Sequence, residues 1–268
     1  MRIFVTGLGG YLGHALAAVA GAEVSGTVRS RPAPDGLRAF TVDVRDESAL
    51  ADAIATVAPD AIVHAAYVKD GDEAWSVNVD GAAAVAYAAA AAGVRLIHMS
   101  SDVVFSGDLR RPLREDDPLA PVNAYGESKA AAETAVAGAC PAAVLVRTSL
   151  IYGGTEPSSY ERTALDPAQT FYADEIRCPV AAGDLAAALV ELAALPAVHG
   201  PLHVAGADAV SRLEFARLIA AARGADPAAV RGGPRPPGRA GDLRLDCSRA
   251  RELLRTRLRG VRDVLHSG

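Results

Sequence analysis

Lysine is almost missing from this 268-residue chain: of 27 basic residues only Lys69 and Lys129 are lysine, and the rest are arginine. Cysteine is as sparse. Cys140, Cys178 and Cys247 are odd in number and widely spaced, with no Cys-x-x-Cys pair. That excludes a disulfide framework and a thiolate zinc site, and it fits reduced thiols. The six histidines have no metal-ligand spacing either, so no metal is expected. No apolar run can span a bilayer, since the alanine-rich stretch 82–92 is too short, and residues 1–6 enter a strand rather than a signal segment. A cytoplasmic protein without a membrane partner is expected. Positive charge is not in excess: the net charge of −5 argues against a nucleic-acid or anionic-membrane surface. What remains is half apolar and 22% charged, an ordinary globular composition for one large domain or a domain with a smaller lobe.

The place of Lys129 is therefore informative. It follows Tyr125 by four residues in a helix-favouring segment, Tyr125-Gly126-Glu127-Ser128-Lys129-Ala130-Ala131-Ala132-Glu133, so phenol and ammonium share one helix face. Seven tyrosines and two lysines give about 0.05 Tyr-x-x-x-Lys matches by chance, which favours a functional pair over a helix-face aromatic and a solvated charge. A lysine ammonium beside a phenol lowers its pKa from about 10 toward the working range. Upstream, the apolar run 94–99 reads as a buried parallel strand, which puts Ser101 just past its carboxyl end. A serine hydroxyl that holds a carbonyl while a tyrosine donates its proton suits reduction of a ketone by hydride.

The chain opens with a strand, Arg2 to Thr6, then Gly7-Leu8-Gly9-Gly10-Tyr11-Leu12-Gly13, then a helix expected over His14 to Ala20. Strand, glycine turn and helix make a dinucleotide-phosphate cradle: Gly7 for the turn, Gly10 for approach to the pyrophosphate, Gly13 for helix–strand packing. The second strand, Glu23 to Val28, ends at Arg29-Ser30-Arg31, where an acidic residue would suit a ribose 2′-hydroxyl. Arginines suit a 2′-phosphate, so NADPH is favoured over NAD, with plain surface arginines as the alternative. Arg38 to Val42 reads as a third strand before Asp43, which lies within reach of an adenine amine. Ala61 to His64 reads as a fourth strand before Ala65-Ala66-Tyr67, small residues over which a cofactor lies flat. His64 is read as a packed core residue. Asn78 either orients backbone near the site or is an exposed helix polar.

Thr6-Gly7-x-x-Gly10-x-x-Gly13, Ser100-Ser101-Asp102-Val103-Val104-Phe105 and Tyr125-Gly126-Glu127-Ser128-Lys129 resemble the extended short-chain dehydrogenases/reductases. The nearest branch is the dTDP-4-dehydrorhamnose reductase-like, sugar-nucleotide-binding one, and the likeness runs through nearly the whole chain. It implies a Rossmann-type α/β fold with a doubly wound parallel sheet and a small C-terminal substrate lobe. Residues 1–150 would be the NADP-binding domain, and 151–268 a mixed region that holds the lobe and sends some segments back. By this resemblance Ser101 would bind the carbonyl, Tyr125 would donate the proton, and Lys129 would hold the nicotinamide ribose. NADPH would contact Gly7, Leu8, Gly10, Tyr11, Leu12, Arg29, Asp43, Val44, Ala65, Ala66 and Tyr67. The implied substrate is a small carbonyl compound, a 4-keto-6-deoxy sugar nucleotide before others, and a homodimer is allowed.

The branch commonly has threonine at Ser101 and an aromatic residue at Leu150, and residues 154–171 are short and rich in Ser, Thr, Pro and Asp where it builds part of the sugar pocket. A reductase or epimerase of a non-sugar carbonyl therefore stays open, as does a non-catalytic NADP-binding regulatory subunit. Further on, Ser211-Arg212-Leu213-Glu214 reads as a capping box. Residues 232–239, rich in Gly and Pro, read as a linker or a flap whose arginines are solvated or clamp a diphosphate. Residues 248–265 read as a terminal helical region.

Overall fold

The computed structural model describes residues 1–19 and 21–266. Apart from β2 and β3, which follow one another directly, strand and helix alternate through the first half: β1 (Arg2–Thr6), α1 (Tyr11–Ala17), β2 (Glu23–Val28), β3 (Arg38–Thr41), α2 (Glu47–Val57), β4 (Ala61–His64), α3 (Gly81–Ala92), β5 (Arg95–Ser101), α4 (Ala124–Ala139) and β6 (Val144–Thr148). The second half is built of shorter pieces: β7 (Ile151–Tyr152), α5 (Ser159–Ala164), β8 (Phe171–Tyr172), β9 (Ile176–Arg177), β10 (Val180–Ala181), α6 (Ala182–Ala193), β11 (Gly200–His203), β12 (Val210–Ser211), α7 (Arg212–Ala222), β13 (Gly232–Gly233), α8 (Ser248–Leu253) and α9 (Val261–His266).

Seven strands form one parallel sheet in the order β11-β6-β5-β4-β1-β2-β3. Both faces are covered, so its central strands are continuous apolar runs rather than alternating ones. Successive residues still separate to opposite faces. Val5, Val63, Ile97 and Val144 pack with Leu12 and Leu16 of α1 and with Leu185 and Leu189 of α6. Phe4, Ile62, Leu96 and Leu145 pack with Leu50 of α2, Val85 of α3 and Val136 of α4. The strand order reverses between β1 and β4, and the crevice at their carboxyl ends is where such sheets bind ligands. The fold is the Rossmann-type α/β fold expected from the sequence.

Three two-stranded pairs, β7 with β10, β8 with β13 and β9 with β12, frame the smaller lobe around Tyr152, Phe171, Phe215, Ile219 and Val261. Several local expectations change. Helix α1 starts at Tyr11, not His14, because the Gly10 carbonyl already accepts from the His14 N–H at 3.1 Å; its expected end, Ala20, lies outside the described residues. The terminal helical region 248–265 consists of two helices, α8 and α9. The chain turns extended at Leu254, and the N–H groups of Arg255 and Thr256 leave to bond the Glu191 carboxylate at 2.7 and 2.9 Å. Only half of the Ser211 capping box forms: Ser211 Oγ accepts from Glu214 N–H at 3.0 Å, but the Glu214 carboxylate is taken by Arg262. The complete box is Ser158 with Glu161, at the start of α5. Among the described residues no helix is long and apolar enough to cross a membrane.

Candidate active site

Helix α4 begins where Asn123 Oδ1 accepts from Gly126 N–H at 2.9 Å, so Tyr125 stands in its first turn and Lys129 one turn on. Gly126 is what lets that turn settle at the end of β5. A Cβ there would collide with the Val103 carbonyl, two residues past Ser101. Asn78, in a π-helical turn Ser76–Asp80, is buried. It accepts from Val68 N–H at 2.9 Å and donates to the Val68 carbonyl at 2.8 Å and to Ser128 Oγ at 2.9 Å. Ser128 in turn donates to the Tyr125 carbonyl at 2.8 Å. Of the two readings of Asn78, backbone orientation holds: it ties α4 to the chain after β4. The Tyr67 ring, at that strand end, lies tilted on the Tyr125 ring at 5.8 Å between centroids.

Ser101 closes β5, and its hydroxyl faces Asp102 Oδ1 at 3.3 Å. Asp102 is buried, accepts from Ser149 Oγ at 2.6 Å and lies 3.7 Å from Arg177 Nε. Burial pushes its carboxyl above the ordinary range, with Arg177 and Ser149 pulling the other way. Burial likewise lifts the Tyr125 phenol well above 10, helped by Tyr67, Tyr160 and Asp102. The lowering expected from Lys129 is not seen: burial dominates, and the neighbouring groups that act on the phenol push it the same way. Lys129 itself is buried and brought down to about 8 by that burial, with Glu133 opposing.

Beneath Lys129 two histidines from neighbouring strands stack at 5.2 Å. His64 holds Thr6 Oγ1 at 2.6 Å, as a packed core residue would, and burial takes it down to about 3. His98 is fully buried, and neither ring nitrogen has a hydrogen-bond partner among the described residues. Glu133, one further turn along the α4 face, binds Arg147 Nη2 at 2.8 Å with both side chains buried.

At the glycine loop, Gly7 has φ +77°, and a Cβ on it would come within 2.9 Å of Ala66 Cα, so β1 and β4 can close up only with glycine here. Gly13 lies against Leu8, whose Cα would be 2.7 Å from an added Cβ. Gly10 is open by contrast: an added Cβ would meet only the Gly7 carbonyl, at 3.0 Å. The loop thus has the cradle a pyrophosphate needs. Leu8, Leu12 and Val44 are buried core side chains, so only their backbone can face a cofactor. Tyr11 turns its phenol away to the lobe, where Oη accepts from Gly154 N–H at 2.7 Å and donates to Glu161 Oε2 at 3.4 Å. Arg29 and Asp43 lie at the ends of β2 and β3, 3.5 Å apart.

The lobe adds residues that the sequence did not single out. Glu175 is buried and lies 3.1 Å from Arg177 Nη2 and 2.8 Å from Arg239 Nε. Arg212 sits over the Tyr160 ring at 4.9 Å, and Tyr160 is close enough to Tyr125 to influence its phenol. Residues 154–171 are therefore not a bare polar loop; they carry α5 and bring Tyr160 to the site. Residues 232–239 are largely exposed, yet they are anchored rather than a free linker. β13 pairs with β8, Arg235 lies 3.5 Å from Asp174, and Arg239 grips Glu175.

Residues 1–267 match the family described as RmlD substrate binding domain. A dTDP-4-dehydrorhamnose reductase of Mycolicibacterium smegmatis is 36% identical over 98% of this chain and 84% of its own length. The crystal structure of a hypothetical dTDP-4-dehydrorhamnose reductase from Sulfolobus tokodaii superposes with TM-score 0.82 and 29% identity, covering 97% of each chain. A Bacillus anthracis dTDP-4-dehydrorhamnose reductase, solved in complex with NADP, shares the fold at TM-score 0.83 and 23% identity, over 99% of this chain and 97% of that one. With its strand order, its glycine cradle, Ser101 at the carboxyl end of β5, and Tyr125 and Lys129 on the adjoining helix, the chain belongs to the RmlD family of extended short-chain dehydrogenases/reductases and is an oxidoreductase.

Proposed function

We propose that the protein reduces the ketone of a 4-keto-6-deoxy sugar nucleotide with NADPH. The observation that carries this is the seating of Tyr125 and Lys129 on one face of α4, against the strand end that holds Ser101. The names of the relatives supply the substrate class. Residues 1–150 hold the cofactor, and the lobe within 151–268 holds the sugar nucleotide.

Gly7, Leu8, Gly10, Tyr11 and Leu12 offer backbone to the pyrophosphate, Arg29 meets the 2′-phosphate, and Asp43 and Val44 flank the adenine. Ala65, Ala66 and Tyr67 line the path to the nicotinamide, and Lys129 takes its ribose. When bound, NADPH supplies the hydride to the carbonyl carbon. Ser101 Oγ donates to the carbonyl oxygen and fixes its direction, and Tyr125 Oη passes its proton to that oxygen as charge builds there. A phenol held above its ordinary range keeps that proton until the oxyanion calls for it. Asn78, through Ser128, keeps the turn that carries Tyr125 in place.

The test is NADPH oxidation with dTDP-4-keto-6-deoxyhexose. Tyr125→Phe should lower turnover by about 10²–10⁴-fold, the usual contribution of a positioned general acid, and leave cofactor affinity within about twofold. Unchanged turnover in the variant would remove Tyr125 as the proton donor. Cofactor binding without turnover would move the substrate to another carbonyl class.

A further inference from the structure

Two arginines and two carboxylates meet where β2 and β3 end. Arg45 clamps Asp43 with Nε on Oδ1 at 2.9 Å and Nη2 on Oδ2 at 2.6 Å, and its backbone N–H adds a third bond to Oδ1 at 3.0 Å. Glu73 reaches the same pair of arginines from the segment after β4. Its Oε1 lies 2.9 Å from Arg45 Nη2, and its Oε2 lies 3.2 Å from Arg29 Nη2. The two acids are held differently. Asp43 is fixed by a guanidinium fork and a backbone amide, with its side chain 30% exposed. Glu73 has one guanidinium nitrogen from each arginine and is 53% exposed, so it can turn out to solvent at little loss.

With Glu73 in place the four charges cancel. When it leaves, one net positive charge remains, and Nη2 of each arginine loses an acceptor. We propose that Glu73 is a built-in competitor for the 2′-phosphate of the cofactor, a specificity-determining residue that weakens the phosphorylated form alone. A phosphate dianion brings three acceptor oxygens and nearly twice the charge of a carboxylate, so it can displace Glu73 from Arg29. A ribose 2′-hydroxyl is neutral and leaves Glu73 where it is. The inference rests on the NADPH reading of Arg29.

Adenosine 2′,5′-bisphosphate and adenosine 5′-monophosphate isolate that contact, and both can be titrated calorimetrically into the full chain at one low, fixed ionic strength. Glu73→Gln should bind the bisphosphate about fivefold tighter and the monophosphate within about twofold of the parent. No change, or an equal change for both ligands, overturns the role of Glu73. Arg29→Ala separates the two ideas. If the parent prefers the bisphosphate and Arg29→Ala abolishes that preference while Glu73→Gln does not strengthen it, the NADPH reading stands and Glu73 is a surface charge. If the parent shows no preference at all, both fall together.

Discussion

The sheet and the lobe are held together by different physics. In the sheet, β4 and β6 are buried at every position, and the joining force is apolar contact with helices on both faces. In the lobe the strands are two residues long, and much of the joining is done by arginines on buried carboxylates. Glu175 holds Arg177 and Arg239, and Glu161 holds Arg223 at 3.0 Å. At the junction with the sheet, Arg259 closes on Asp184 of α6 at 2.7 Å. Apolar contact is non-directional, whereas an ion pair depends on particular partners held at particular angles. The sheet thus rests mainly on packing, with Arg147 and Glu133 as its buried ion pair, and the lobe depends more on its charges.

The largest expected break is on the lobe side. Glu175→Ala leaves Arg177 and Arg239 without their shared partner and should cost about 3–5 kcal/mol locally. Faster hydrogen exchange across 171–240 and a raised KM for the sugar nucleotide, with cofactor affinity unchanged, would confirm that the lobe fails alone. Leu96→Ala, in the sheet core, should cost about 2–5 kcal/mol and act globally, lowering the denaturant midpoint for both regions together. If it loosened only the sheet, the contrast would have to be redrawn.

Mild acid gives a smaller and finer separation. His64 and His98 are depressed from 6.5 by burial, so the unfolded chain binds more protons than the folded one below that pH. Their contribution is complete above about 6.5 and falls as pH drops below it, for His64 down to about 3, at about 1.4 kcal/mol per pH unit for each histidine. For Glu161 and Glu175 burial acts upward, yet N–H donors and arginines outweigh it and hold both below 4.5. Their contribution is lost only as pH falls through that range. Between pH 6.5 and 5 the sheet should weaken while the lobe pairs persist. Urea midpoints across that window test this, and since burial also holds down His203 on β11, His98→Leu should remove about a third of the slope.

The sequence was legible where the physics is local or periodic. The apolar runs at 2–6, 23–28 and 61–64 and the glycine turn could be placed directly, because strand, turn and helix each leave a mark within a few residues. Tyr125 and Lys129 could be paired because helical spacing brings them to one face. The lobe left no such mark. Glu175 and Arg239 are 64 positions apart and Asp184 and Arg259 are 75 apart, and nothing in an arginine-rich chain says which guanidinium a carboxylate will choose. For the same reason Arg235 and Arg239 read as solvated although both are anchored by carboxylates. The direction of the Tyr125 shift was also out of reach, since it depends on how much water the fold removes, which spacing does not record. Glu73 was silent because its partners come from the ends of two other strands.

The phenol of Tyr11 crosses the divide between the two frames. It belongs to the loop that would cradle the cofactor, yet its hydroxyl carries the amide of Gly154, and an added Cβ on Gly154 would strike its ring at 2.9 Å. The lobe cannot swing outward at that turn without drawing on the glycine loop or parting from it. The two halves are geared to each other here by one side chain, beside the Arg177–Asp102 pair, so a movement of the lobe is transmitted to the glycine loop.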